Sequence, residues 1–80
     1  MNHAEFSELH SRCVVAKELY LFQIEKTIAM LAGCTPGPLP LDERLNLLTQ
    51  EVAESDAHEA YMGAKRLVHN VAKLGYGFSN

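Results

Sequence analysis

Apolar residues recur at steps of three and four along the first 32 residues, the spacing that keeps side chains on one side of an α-helix. No Pro or Gly interrupts this segment before Gly33, a residue well suited to the position just after a helix end. We therefore predict a first helix over about residues 3–32. Its apolar seam consists of Phe6, Leu9, Cys13, Ala16, Tyr20, Ile24, Thr27 (through its methyl group) and Leu31.

The same segment also carries apolar residues outside the seam. Two further sets, about 100° and about 200° round the helix, are Val14, Leu21 and Ile28, and Val15, Leu19, Phe22 and Ala29. A helix that is apolar on most sides is normally buried, and the chain offers only one other long segment to cover it. We therefore predict a homodimer, with an interface formed by Val14, Val15, Leu19, Leu21, Phe22 and Ile28.

Residues 33–40 hold all three prolines of the chain and predict a stiff connector. Helical periodicity resumes over about 41–74, and a tail of 75–80 follows. The second segment is predicted as one helix or as two helices broken near Ser55, where a polar patch interrupts the pattern. The face expected against the first helix is Leu45, Leu48, Val52, Ala60, Ala64, Leu67 and Val71. The predicted fold is a single all-α domain over 1–80, a helical hairpin that dimerises into a four-helix bundle.

Charge is distributed unevenly along the chain, whose net charge is −3. Six acidic residues lie between Asp42 and Glu59 against Arg44 alone, and this stretch is suited to a protein partner. Predicted partner-binding residues are Glu51, Glu54, Glu59, Tyr76 and Phe78. The net charge has the wrong sign for a general nucleic-acid binder. Nucleic-acid binding remains the alternative, through Lys65, Arg66 and Lys73.

Residues able to perform chemistry are few. His10 and Cys13 are spaced i,i+3, and Glu54 and His58 i,i+4, but zinc needs three or four convergent ligands. No phosphate loop, nucleophile elbow or metal motif is present. We expect no catalytic site, metal or cofactor. The third hypothesis is a metal- or redox-linked bundle that uses His10, Cys13, His58 or Cys34.

The leading functional hypothesis is a small non-enzymatic protein-binding module that acts as a regulator, adaptor or inhibitor through a helical surface. About 20 residues of helix separate Cys13 from Cys34, roughly 30 Å, which excludes an intrachain disulfide. Free thiols suit the cytoplasm. No apolar run reaches the roughly 18 residues that span a bilayer, and no signal peptide is visible. We therefore expect a cytoplasmic protein that does not enter membranes.

Overall fold

The structure, a computed structural model, describes residues 3–34 and 37–74, with Leu74 described by its backbone alone. Helix α1 spans His3–Ala32 and helix α2 spans Leu41–Leu74. The two helices run antiparallel and form a rod with dimensions of 61 × 15 × 14 Å. The predicted all-α hairpin is confirmed, and the second segment is one continuous helix rather than two. Dimerisation into a four-helix bundle stays a prediction, and the 75–80 tail lies outside the described residues.

Local interactions of the expected kind occur within α1, at its end and in the connector. Glu8 and Arg12 form an i,i+4 ion pair in α1 at 2.7 Å. After α1 the backbone N–H of Gly33 still bonds to the carbonyl of Ala29, at 3.3 Å. Gly37 in the connector has a φ of 111°, in the left-handed region that disfavours residues with a Cβ. The chain then enters α2 with acids in its first turn, where the helix dipole favours them.

The contact face of α1 follows an unbroken seven-residue repeat. Its half-buried residues at the two repeating positions are Phe6, Cys13, Tyr20 and Thr27, and Leu9, Ala16, Gln23 and Met30, and Cys34 continues the repeat just after the helix end. Ile24 is half-buried beside this repeat, so the predicted seam is confirmed as far as Thr27. It is wrong at its end, where Met30 faces α2 and Leu31 is 51% exposed. A strict heptad contact drifts about 20° per repeat relative to a straight helix, and Leu31 falls off that path.

The contact face of α2 also follows a heptad repeat, but it differs from the predicted face. Its half-buried or buried residues at the two repeating positions are Leu47, Gln50, Glu54, Ala57, Tyr61, Ala64, Val68 and Val71, and Ala53 and Ala72 are half-buried beside them. Of the predicted set only Ala64 and Val71 belong to it. The prediction is wrong for Ala60, which is exposed, and for four larger residues that are 49–60% exposed, Leu45, Leu48, Val52 and Leu67. Gln50 and Glu54 interrupt the apolar residues of the true seam, so the most apolar stripe of α2 marks a different face.

The hairpin has no hydrophobic core of its own. Among the described residues no hydrophobic side chain is buried, and Gln50 at 5% exposure is the one buried residue. The accessible surface is 6138 Å². Size scaling gives about 4,800 Å² for a folded monomer of this mass, 8.9 kDa. The chain therefore exposes about 1,300 Å² more than a self-sufficient monomer of its size.

Candidate protein-interaction surfaces

A polar layer joins the two helices in the middle of the hairpin. The side-chain Nε2 of Gln50 donates to the backbone carbonyl of Gln23 at 3.1 Å and to its Oε1 at 2.8 Å. One turn along both helices, the Thr27 hydroxyl lies 3.0 Å from the same carbonyl and 3.3 Å from Oε2 of Glu54. The contacts between the helices, Gln50 with Gln23 and Thr27 with Glu54, are lost if one helix slides by a turn, so the layer fixes the register. Apolar periodicity alone does not indicate this layer, although Gln and Glu at heptad positions are a usable signal.

Large apolar side chains cover the outside of the hairpin instead of its seam. Those at least 36% exposed are Val14, Val15, Leu19, Leu21, Phe22, Ile28, Leu31, Leu41, Leu45, Leu48, Val52, Met62 and Leu67. Most of them fall into three stripes. We name these the Leu21 stripe (Val14, Leu21, Ile28), the Phe22 stripe (Val15, Leu19, Phe22) and the leucine stripe (Leu41, Leu45, Leu48, Val52).

The six residues of the predicted dimer interface make up the two stripes of α1. All six are 41–60% exposed. Successive residues turn by 100°, so the two stripes lie about 120° apart on either side of the outward line that carries Glu18 and Glu25. One flat partner surface cannot cover both stripes. The interface itself stays a prediction.

The two edges of α2 that border these stripes differ in chemistry. Tyr20 is the seam residue next to Leu21 in the sequence. The centre of its ring lies 5.0 Å from that of His58 and 6.2 Å from that of Tyr61. On this edge Glu51, His58 and Lys65 follow at seven-residue steps, and all three are exposed. The opposite edge, beside the Phe22 stripe, carries Ala53, Ala60 and Leu67 at the same spacing. The Leu21 side therefore faces a polar edge of α2, whereas the Phe22 side faces an edge of Ala and Leu, although Arg12 and Lys26 lie seven residues to either side of Leu19 on α1.

The leucine stripe lies on the outer side of α2. Its four residues are 53–63% exposed and follow one another at steps of four, three and four. They lie about 160° round the helix from the residues that contact α1. No side chain of α1 can reach this surface, so the described residues leave it uncovered.

The charged residues predicted to bind partners are spread over different faces. Glu51 and Glu59 are exposed, whereas Glu54 is half-buried in the polar layer. Tyr76 and Phe78 lie outside the described residues. The nucleic-acid alternative rests on Lys65, Arg66 and Lys73, which are all exposed.

These three cations do not form one basic face. Arg66 and Lys73 are seven residues apart on one side of α2. Lys65 turns about 100° away from Arg66, and its Nζ lies 6.0 Å from the centre of the Tyr61 ring. Two firm cations per face neutralise few phosphates, which gives little affinity for nucleic acid.

The thiols and imidazoles of the third hypothesis remain apart. Cys13 is half-buried in the seam and His10 is exposed. The Cys34 thiol donates to the carbonyl of Met30 at 3.3 Å. Over residues 3–34 and 37–74, no three His, Cys, Asp or Glu side chains converge on a point where a metal ion would bind.

Comparison with protein-family models, with curated proteins and with solved structures finds no match to this chain. Within the residues that the structure describes, neither helix combines the length and apolar character needed to cross a bilayer.

Proposed function

We propose that this chain is a non-enzymatic helical protein-binding module that acts as a homodimer in the cytoplasm, as a regulator, adaptor or inhibitor of a larger protein. The observation that carries the proposal is a hairpin without a buried hydrophobic side chain among its described residues and with three apolar stripes on its outside. Exposed apolar patches on this scale mark surfaces that other protein chains cover.

The size of the exposed surface supports self-association. The surplus of about 1,300 Å² per chain is shared among the three stripes, so a dimer through one side buries only part of the about 2,600 Å² that two chains would hide in full. Chains of this length commonly reach stability through oligomerisation. The dimer is therefore the folded unit in this proposal.

The Phe22 side is the face best suited to the dimer. Two hairpins packed face to face need apolar side chains from both helices, as in a four-helix bundle. The Phe22 stripe supplies them from α1, and Ala60 and Leu67 supply them from α2. Small residues such as Ala60 let helices approach closely. The Leu21 stripe stays uncovered in this dimer, and we assign it to the protein partner.

Absolute mass measured by light scattering behind a sizing column tests the proposal across a range of chain concentrations. We expect a mass at or above twice the 8.9 kDa of the chain, and a urea midpoint that rises with protein concentration, because association and folding are linked. A folded monomer whose midpoint is independent of concentration would contradict the homodimer. Capture of one stoichiometric partner, lost in Leu21→Glu with Ile28→Glu but retained in the wild type, would support the binding role.

A further inference from the structure

The leucine stripe has the residue pattern of a short coiled-coil seam. Leu41, Leu45, Leu48 and Val52 occupy successive d and a positions of a heptad, two helical repeats in all. This heptad is separate from the one that packs α2 against α1. Because the stripe points away from α1, a further helix can lie along it without disturbing the hairpin.

The charges beside the stripe identify the helix that fits it. The g positions on one side are Arg44 and Glu51, and the e positions on the other side begin with Asp42 and Thr49. Arg44 and Glu51 are exposed, and neither has an ion pair among the described residues. Charged residues at e and g positions set partner choice and orientation in coiled coils.

We propose that the leucine stripe pairs in antiparallel orientation with the leucine stripe of a second copy of this chain. A twofold axis midway between Leu45 and Leu48 makes the stripe complementary to itself. Leu45 then faces Leu48 of the partner subunit, and Leu41 faces Val52 of the partner subunit. Four apolar layers form, and each uses side chains that the isolated hairpin leaves more than half exposed.

The same axis matches the charges. In an antiparallel pair g positions face g positions, and in this register Arg44 faces Glu51 of the partner subunit, twice by symmetry. On the other edge Asp42 faces the uncharged Thr49 of the partner subunit. A parallel pair sets g against e, which brings Glu51 beside Asp56 of the partner subunit and creates two repulsions. The charges therefore select the antiparallel second copy over a parallel one.

This contact makes the assembly long. The stripe lies at the connector end of α2, so the two α2 helices, each of 34 residues and about 51 Å long, overlap only along Leu41–Val52, about 18 Å, and together span about 84 Å. The Phe22 face remains free for the dimer proposed above, so stripe pairing joins such dimers. The inference does not depend on the Phe22 face, and separate variants test the two.

Charge exchange at positions 44 and 51 tests the pairing. We expect Arg44→Glu alone and Glu51→Arg alone each to weaken the stripe-dependent association step about tenfold at low salt, because two attractions become two repulsions. The double variant, Arg44→Glu with Glu51→Arg, restores this association step. An equimolar mixture of the two single variants also restores it, because the two acidic positions of one chain then face the two basic positions of the other. Sedimentation equilibrium measures this step, and high salt reduces the differences.

The alternatives give different results. If Glu51→Arg tightens association, the stripes pair in parallel, because the new cation meets Asp56 of the partner subunit. If both single variants associate as the wild type does, another protein covers the stripe and the inference is wrong. If the charge variants associate as the wild type does while Phe22→Ala weakens the dimer, only the leucine-stripe pairing is wrong. If the charge variants weaken association while Phe22→Ala has no effect, only the assignment of the dimer to the Phe22 face is wrong. Far-ultraviolet circular dichroism of each variant controls for loss of helix.

Discussion

Replacement of Phe22 by Ala tests the proposed dimer face most directly. The side chain is 57% exposed in the hairpin, so more than half of its surface is left for a partner to cover. Ala keeps the helix intact because it has the highest helix propensity. The substitution therefore removes dimer contacts and leaves the hairpin seam unchanged.

The expected magnitude follows from that exposed fraction. Full burial of a Phe side chain contributes up to about 3 kcal/mol, so the exposed half of Phe22 contributes about 1.5 kcal/mol when a partner covers it. A twofold interface contains the residue twice, which gives about 3 kcal/mol per dimer and a dissociation constant about 100-fold higher.

Dilution measured by analytical ultracentrifugation gives this constant for the wild type and for Phe22→Ala. Leu21→Ala is the matched control, because Leu21 is the next residue, is 46% exposed, and lies on the opposite stripe. Its dimer constant should equal that of the wild type. Equal weakening by the two substitutions would refute the assignment of the dimer to the Phe22 face, and no weakening by either would remove α1 from the interface.

Three further substitutions probe the hairpin, each by urea denaturation at one fixed chain concentration. Gln50→Ala removes both bonds to Gln23 and should lower the free energy of unfolding by about 1–2 kcal/mol; no change would mean that the polar layer contributes nothing. Gly37→Ala places a Cβ at a φ of 111° and should cost about 1 kcal/mol, and an unchanged midpoint would contradict that backbone geometry. Gly63→Ala meets no atom within 4 Å and should stabilise α2 by about 0.5–1 kcal/mol; a loss would place a partner helix against Gly63.

The sequence alone predicted α1 well and the packing of α2 poorly, for one physical reason. In α1 the heptad positions that contact α2 are mostly apolar, so a search for apolar periodicity finds the correct seam as far as Thr27. In α2 the contact positions include Gln50 and Glu54, while Leu45 and Leu48 lie outside. Apolar periodicity identifies the face with the most apolar surface to bury. It does not say whether the same chain or another molecule covers it.

The exposed apolar surfaces were likewise predicted for α1 and missed for α2. The excess of apolar side chains on α1 was visible in the sequence, and the six residues expected at an interface are all exposed. Their separation into two stripes depends on where the seam lies, which the polar layer and the heptad drift determine. The sequence pattern placed Leu45, Leu48 and Val52 inside the hairpin, so no unpartnered apolar surface on α2 was expected. The proposed pairing of Arg44 with Glu51 depends on these residues lying outside, which the pattern did not indicate.

The seam and the outer stripes contribute differently: the seam fixes the helix register, and the outer stripes hold most of the large exposed apolar side chains. The seam contributes limited hydrophobic free energy, because none of its apolar side chains among the described residues is fully buried and polar residues such as Gln50 interrupt it. Its polar layer contributes register instead, since bonds among Gln23, Thr27 and their partners form at one alignment only. The leucines and Phe22 are largely exposed in the hairpin, so most of their burial free energy is gained only when another chain covers them. In the proposed dimer, folding and binding form one linked equilibrium, so a variant that removes an outer stripe should also lower the free energy of unfolding of the hairpin.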